Sequence, residues 1–119
     1  MQKSVTLMKP VSRSSNELPG GLKYKLVATG SKFTTGIAVA EPGKGESWHK
    51  HTDEVEETYY IVKGQGRIAW KSDGAVHTLE FSSGDALYLP FGLENELVNT
   101  GKDELTIIFT ITNATKSRE

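Results

Sequence analysis

The chain of 119 residues contains no cysteine. This absence excludes a disulfide framework, thiolate metal ligands and cysteine nucleophiles. Long apolar runs are missing too: no stretch approaches the ~18 consecutive apolar residues of a membrane-spanning helix, and the start of the chain has no apolar run long enough for a signal peptide. From these absences we expect a cytoplasmic protein.

An excess of either charge is lacking as well. The 14 basic and 15 acidic residues are mixed along the chain and give a formal net charge of −1. No basic block offers a surface for nucleic acid, and no basic amphipathic segment suggests contact with a membrane surface. The composition therefore favours a small-molecule partner.

The length of the chain predicts a single domain of residues 1–119. The sequence pattern predicts that this domain consists of short strands. Glycines and short polar clusters recur roughly every eight to twelve residues, which is typical of an all-β sandwich or barrel. Residues 1–20 and 113–119 are polar and are expected to pack on the outside or to fray. The strands are predicted at 22–28, 33–40, 59–62, 67–71, 76–81, 86–89, 96–98 and 105–112.

The segment WHKHTDEVEETYY, residues 48–60, holds two of the three histidines and four acidic side chains. If residues 47–51 are extended, His49 and His51 point to the same face and lie roughly 6.5–7 Å apart at Cα. With a carboxylate from a neighbouring strand they would form a set typical of non-haem iron(II), which also suits manganese, zinc, nickel or cobalt. A solvated, charged loop is the alternative, because H-x-H alone is a weak signal.

The spacing of glycines, proline and histidines around this segment is that of two known motifs. The first is Gly43, His49, His51, Glu57 and Gly64, and the second is Gly84, Pro90, Gly92 and Asn99. Together they resemble the two motifs of the cupin family, over roughly residues 20–112. The resemblance implies a single-domain cupin β-barrel (a double-stranded β-helix or jelly roll) with a divalent transition metal inside, whose identity among Fe, Mn, Zn, Ni and Co stays open.

Two departures from the family pattern bear on the ligands. Five residues rather than three or four separate His51 from Glu57, but Glu57 keeps the six-residue interval to Gly64 and is therefore the predicted carboxylate ligand. Glu56 would take its place if a bulge shifted the strand by one residue. Asn95 stands where the family has a third histidine, so it either contacts the metal weakly or faces substrate or water. His77 is expected to be a surface or packing residue.

The resemblance also guides what we expect of the cavity. Tyr59 and Ile61 share the strand parity of Glu57, and Tyr59 is the candidate catalytic acid, base or oxyanion donor. The other aromatic candidates for the wall or mouth are expected to be core residues: Phe33, Trp70, Tyr88 and Phe91.

The predicted function is a small metal-dependent enzyme of the dioxygenase, isomerase, cyclase or lyase type, acting on an organic acid or enol-like compound. The alternative is a non-catalytic cupin that binds or senses a small ligand through a degenerate metal site. Cupins commonly pair through sheet edges, so a homodimer is expected.

Overall fold

The computed structural model describes residues 3–9 and 15–119, and within them the protein is built from strands. No helix in this part of the chain is long and apolar enough to cross a membrane. The strands are β1 (Asn16–Glu17), β2 (Lys23–Thr29), β3 (Phe33–Ala40), β4 (Gly45–Lys50), β5 (Glu57–Lys63), β6 (Gln65–Ser72), β7 (Ala75–Ser82), β8 (Ala86–Leu89), β9 (Glu94–Asn99) and β10 (Leu105–Thr112).

The strands form two antiparallel sheets. One has six strands in the order β1-β2-β3-β10-β5-β8, and the other has four in the order β4-β9-β6-β7. Apolar side chains from both sheets make one core, whose most buried members are Ile61, Leu97, Leu105 and Ile107. The predicted all-β jelly roll is thus confirmed, although the sheets do not close into a complete barrel.

Alternation along two strands sends the predicted side chains inward. On β5, Glu57, Tyr59 and Ile61 are buried while their neighbours are exposed, so the predicted parity is right. On β9, Asn95 and Leu97 are buried with Asn99 and face the same core. Because side chains on a strand alternate between faces, one buried position on each strand determines the direction of the rest.

Asn99, the last residue of the second motif, has a structural role. Its amide donates to the carbonyl oxygens of Ala40 (2.9 Å) and Asp103 (2.8 Å), and its Oδ1 accepts from the Gly101 N–H (2.8 Å). One fully buried side chain thereby joins the end of β3 to the turn that leads into β10. Its hydrogen-bonding capacity is used by the backbone, so Asn99 is not a ligand residue.

Several predictions for the periphery need correction. The short strand β1 was not predicted, and residues 1–2 and 10–14 of the expected outer segment lie outside the described residues. Phe33, Tyr88 and Phe91 are each more than half exposed, so the expectation that they belong to the core is wrong. Trp70 does pack against the core. Residues 113–119, expected outside or frayed, are held by hydrogen bonds at both ends of the segment.

Gly45, at the start of β4, is required by a close backbone approach. A Cβ at this position would collide with the carbonyl oxygen of Leu97 on the paired strand β9. Glycine therefore lets β4 lie flat against β9, and the next residue of β4, Glu46, is buried. The packing of these two backbones is a condition for the site described below.

We expect Gly45→Ala to lower the free energy of unfolding by about 3 kcal/mol, the upper range for overpacking a rigid contact. Gly30→Ala is the matched control, because its Cβ would meet only ordinary van der Waals contacts; its effect should stay within about 0.5 kcal/mol. Urea denaturation measures both. Equal stabilities of the two variants would contradict the close approach.

Candidate metal centre

An extra residue in β4 determines which of its side chains face the interior. Glu46 pairs with Leu97 and His49 pairs with Asn95, so between these pairs two residues of β4 oppose one residue of β9. Simple alternation would put Glu46 and His49 on opposite faces, whereas this bulge turns both inward. Glu46 is only 6% exposed as a result.

The two histidines converge as the sequence predicted. The Nε2 atoms of His49 and His51 are 3.0 Å apart. His49 Nδ1 lies 2.9 Å from the Ser47 carbonyl oxygen, to which an Nδ1–H would donate, and this tautomer leaves the Nε2 lone pair directed at His51. Two nitrogen ligands at ~2.1 Å and about a right angle around one ion would also be roughly 3.0 Å apart.

Two buried oxygen atoms lie in the same region without a hydrogen-bond partner among the described residues. They are Glu57 Oε1, which lies 4.0 Å from His51 Nε2, and Asn95 Oδ1. Asn95 is fully buried and is the cross-strand neighbour of His49, so the two side chains share a face. An unpaired buried acceptor costs free energy that a cation would recover.

Glu56 points away from this group. Its Oε1 accepts a hydrogen bond from the exposed Tyr88 hydroxyl at 2.9 Å. The longer loop before β5 therefore does not shift the strand by one residue, and Glu57 is the inward carboxylate. The remaining histidine, His77, is exposed and stacks on Trp70 with ring centroids 5.6 Å apart, as expected of a packing residue.

Burial keeps both imidazoles neutral. It lowers the pKa of His51 to about 4, and the charges of His49 and Arg118 act in the same direction. Burial also lowers the pKa of His49, although the charge of Glu46 and the hydrogen bond to Ser47 partly oppose it. Neutral imidazole is the form that binds a metal, so no proton has to leave these rings at neutral pH.

Burial has the opposite effect on the two acidic groups of β5. It raises the pKa of Glu57 to about 8, together with the charge of Glu46, while a hydrogen bond from Tyr59 and the charge of Arg118 oppose the shift. The pKa of Tyr59 is raised well above its usual value by burial and by the nearby carboxylates. Both groups therefore hold their protons at neutral pH unless a cation stabilises the charged form.

A cavity of about 280 Å³ opens beside these groups. Glu57, Tyr59 and His51 border it, whereas His49 and Asn95 are not among its lining residues. Glu46 and Arg118 also border it, and a sequence-based search misses both. Their side chains form an ion pair. No local signal marks Glu46, because its inward direction depends on the bulge, and none marks Arg118, which follows the last strand.

The donor set fits a divalent transition ion in its chemistry. Two neutral imidazoles, one carboxylate and one amide oxygen are ligands that such ions accept. In the part of the chain that the structure describes, no three His, Asp or Glu side chains are already arranged to hold an ion. The histidine pair has the required separation, and Glu57 would have to move closer to His51 to join it.

The fold and the order of these residues along the strands define the class of protein. The sequence matches the family model for the Cupin domain over residues 36–111, which is more than half of the chain. The chain belongs to the cupin family.

Known proteins similar to this chain include oxalate decarboxylases. Oxalate decarboxylase OxdC of Bacillus subtilis is 33% identical over 96 residues, covering 77% of this chain but 25% of its own length. The chain thus spans a quarter of that relative. The structure of Lactobacillus farciminis oxalate decarboxylase in a formate complex superimposes with a TM-score of 0.75 at 20% identity, over 89% of this chain and 32% of that one.

A neighbour of similar size is KdgF from Halomonas sp. Its structure gives a TM-score of 0.72 at 16% identity and covers 93% of this chain and 96% of its own. At such identities the structural likenesses show the fold alone.

The two adjacent glutamates offer a direct test of the ligand set. We expect Glu57→Gln to weaken metal binding by roughly tenfold or more, because a neutral amide replaces the inward carboxylate. Glu56→Gln, the matched control, should leave the affinity unchanged. Competition with a chromogenic chelator measures both. If Glu56→Gln lost the metal and Glu57→Gln kept it, the assignment of the ligand would be wrong.

Proposed function

We propose that this cupin is a small metal-dependent enzyme that acts on an organic acid or enol-like compound in the cavity beside β5. The observation that carries the proposal is the 3.0 Å separation of the two histidine Nε2 atoms, together with two buried oxygen atoms that have no hydrogen-bond partner within residues 3–9 and 15–119. Burying these oxygen atoms without a partner costs free energy, and a bound cation would recover it.

Each ligand would contribute according to its chemistry. His49 and His51 would hold the ion through Nε2, Glu57 would neutralise part of its charge, and Asn95 would offer a weaker amide oxygen. When bound, a divalent ion (Fe, Mn, Zn, Ni or Co) supplies a Lewis acid that polarises an oxygen of the substrate. With a single carboxylate ligand the centre would keep a net positive charge, which suits an anionic substrate.

Tyr59 is the residue we assign to proton transfer. Its side chain borders the cavity and its raised pKa keeps the phenol protonated. A protonated phenol within reach of the substrate donates a hydrogen bond to developing negative charge on oxygen. Tyr59→Phe should therefore reduce turnover much more than it reduces metal binding.

The cavity wall limits the size and the character of the substrate. A volume of about 280 Å³ is close to the lower end for ligand sites and suits a small molecule. Opposite the polar group the wall is apolar, with Leu22, Ala38, Ile107 and Phe109. Such a wall would contact an apolar part of the substrate. The relatives named for oxalate and the formate complex of one of them are consistent with a small carboxylate substrate.

A non-catalytic role in ligand binding or sensing is the second candidate. Asn95 favours it, because an amide in place of an imidazole weakens the donor set. Metal content separates the two functions: about one equivalent of a transition metal supports the enzyme, and an organic ligand in a protein without metal supports the binding module. The homodimer and the cytoplasmic location stay predictions from the sequence.

The metal proposal is tested first on the histidines. We expect His49→Ala and His51→Ala each to remove most of the metal found in the purified protein, because each deletes one of two converging nitrogen atoms. His77→Ala is the matched control and should keep it, since that ring lies outside the site. Elemental analysis gives the metal content, and circular dichroism checks the fold. Full metal content in the double variant would refute the site.

Position 95 allows a test by gain of function. Asn95→His should tighten metal binding by roughly tenfold or more, because imidazole is a better ligand than an amide oxygen. It should also close one coordination position and so lower turnover. Asn95→Leu, similar in volume but without a donor, is the control and should not tighten binding. Unchanged affinity in Asn95→His would mean that position 95 does not face the metal.

A further inference from the structure

The segment after β10, residues 113–119, forms part of the cavity. The Thr52 N–H donates to the Ser117 carbonyl (3.1 Å) and the Thr52 hydroxyl to the Lys116 carbonyl (2.7 Å), while the Glu119 N–H donates to the Lys50 carbonyl (3.0 Å). The segment therefore runs antiparallel to residues 50–52, at and just after the end of β4, like a short additional strand.

This pairing directs Arg118 into the site. Arg118 forms an antiparallel bridge with His51, and residues opposite each other in such a bridge carry their side chains on the same face. Since His51 faces the cavity, Arg118 does as well, and it is among the lining residues. Its position follows from backbone hydrogen bonds and not from the ion pair alone.

The guanidinium group has binding capacity left after its contact with Glu46. One terminal nitrogen donates to Glu46 Oε2, and among the described residues the guanidinium has no other hydrogen-bond partner. A guanidinium carries five N–H donors in a planar fork that matches a carboxylate. Of the described residues that line the cavity, Arg118 is the one with a cationic side chain.

Neutralising Glu46 does not by itself account for this arrangement. The Glu46 side chain is 7% exposed, whereas that of Arg118 is 36% exposed and extends along the cavity wall. If Arg118 served only to balance the charge of Glu46, its guanidinium would not need to border the cavity. Because it does border the cavity, its remaining N–H donors can bind an anionic ligand there, in the same cavity that His51 and Glu57 line.

We propose that Arg118 binds the carboxylate of the substrate and that its guanidinium is shared between this carboxylate and Glu46. The substrate class is then a small acid with one carboxylate at Arg118 and an apolar part against Leu22, Ile107 and Phe109. The proposal rests on the proposed function, because it concerns the same cavity, but the binding step at Arg118 does not require the metal.

The test compares two probes of nearly the same size and shape, benzoate, which carries a negative charge, and benzamide, which is neutral. Calorimetry at neutral pH measures their binding to the protein as purified, with its metal content determined, and to the protein after chelator treatment. We expect benzoate to bind at least about tenfold more tightly than benzamide in both preparations. Arg118→Gln should abolish this preference in the chelator-treated protein, where no metal ion can bind the carboxylate.

Two further variants separate binding from structural support. Glu46→Gln/Arg118→Gln removes both charges and leaves a neutral pair at the same place, so any unpaired buried charge is avoided; it should also lose the preference for benzoate. Lys116→Gln removes one positive charge from the same segment through an exposed side chain and should keep it. Thermal unfolding checks that each variant is folded.

The outcomes separate the two claims. Loss of the benzoate preference in both Arg118 variants and its retention in Lys116→Gln support the assignment. A preference that survives in the chelator-treated double variant, or a chelator-treated wild-type protein that does not prefer benzoate, would overturn it. Absence of metal from the purified protein would refute the proposed metal centre, but the comparison in chelator-treated protein would still decide the role of Arg118.

Discussion

The bulge in β4 between Glu46 and His49 is the constraint on which the rest of the site depends. It changes the parity of the strand, so that Glu46, His49 and His51 all face the interior, where Glu46 and His51 border the cavity. The close approach of Gly45 to β9 holds the paired strands in this register. Without the extra residue Glu46 would point outward, and Arg118 would lose its partner. One local irregularity therefore brings together a polar group that regular alternation would split between two faces.

This arrangement buries polar and titratable side chains beside an otherwise apolar core, which costs free energy. Burial keeps the imidazoles neutral and the carboxyl group of Glu57 protonated, with pKa values of about 4 for His51 and about 8 for Glu57. Buried groups whose pKa values are shifted in opposite directions destabilise the fold when they are packed side by side, unless a ligand offsets the cost. A cation does so for all of them at once, since it binds neutral imidazoles and favours the ionised carboxylate.

Much of this could be predicted from the sequence, because strand alternation is a local property. The bounds of β3, β8 and β10 were predicted to the residue, and the inward direction of Glu57 follows from its spacing to Gly64. Glu46 was missed because a bulge depends on pairing with another strand, and sequence alternation does not reveal it. Arg118 was missed because its polar segment reads as solvated; its place depends on hydrogen bonds to residues far away in the chain.

The most direct test of the metal centre is a crystal structure of the protein grown with cobalt(II), with anomalous diffraction recorded on both sides of the cobalt absorption edge. The account predicts one strong anomalous peak in the cavity, within about 2.2 Å of Nε2 of both His49 and His51 and with Glu57 as the nearest carboxylate. A crystal with cobalt bound only at surface side chains, or with no peak between the two imidazoles, would contradict it.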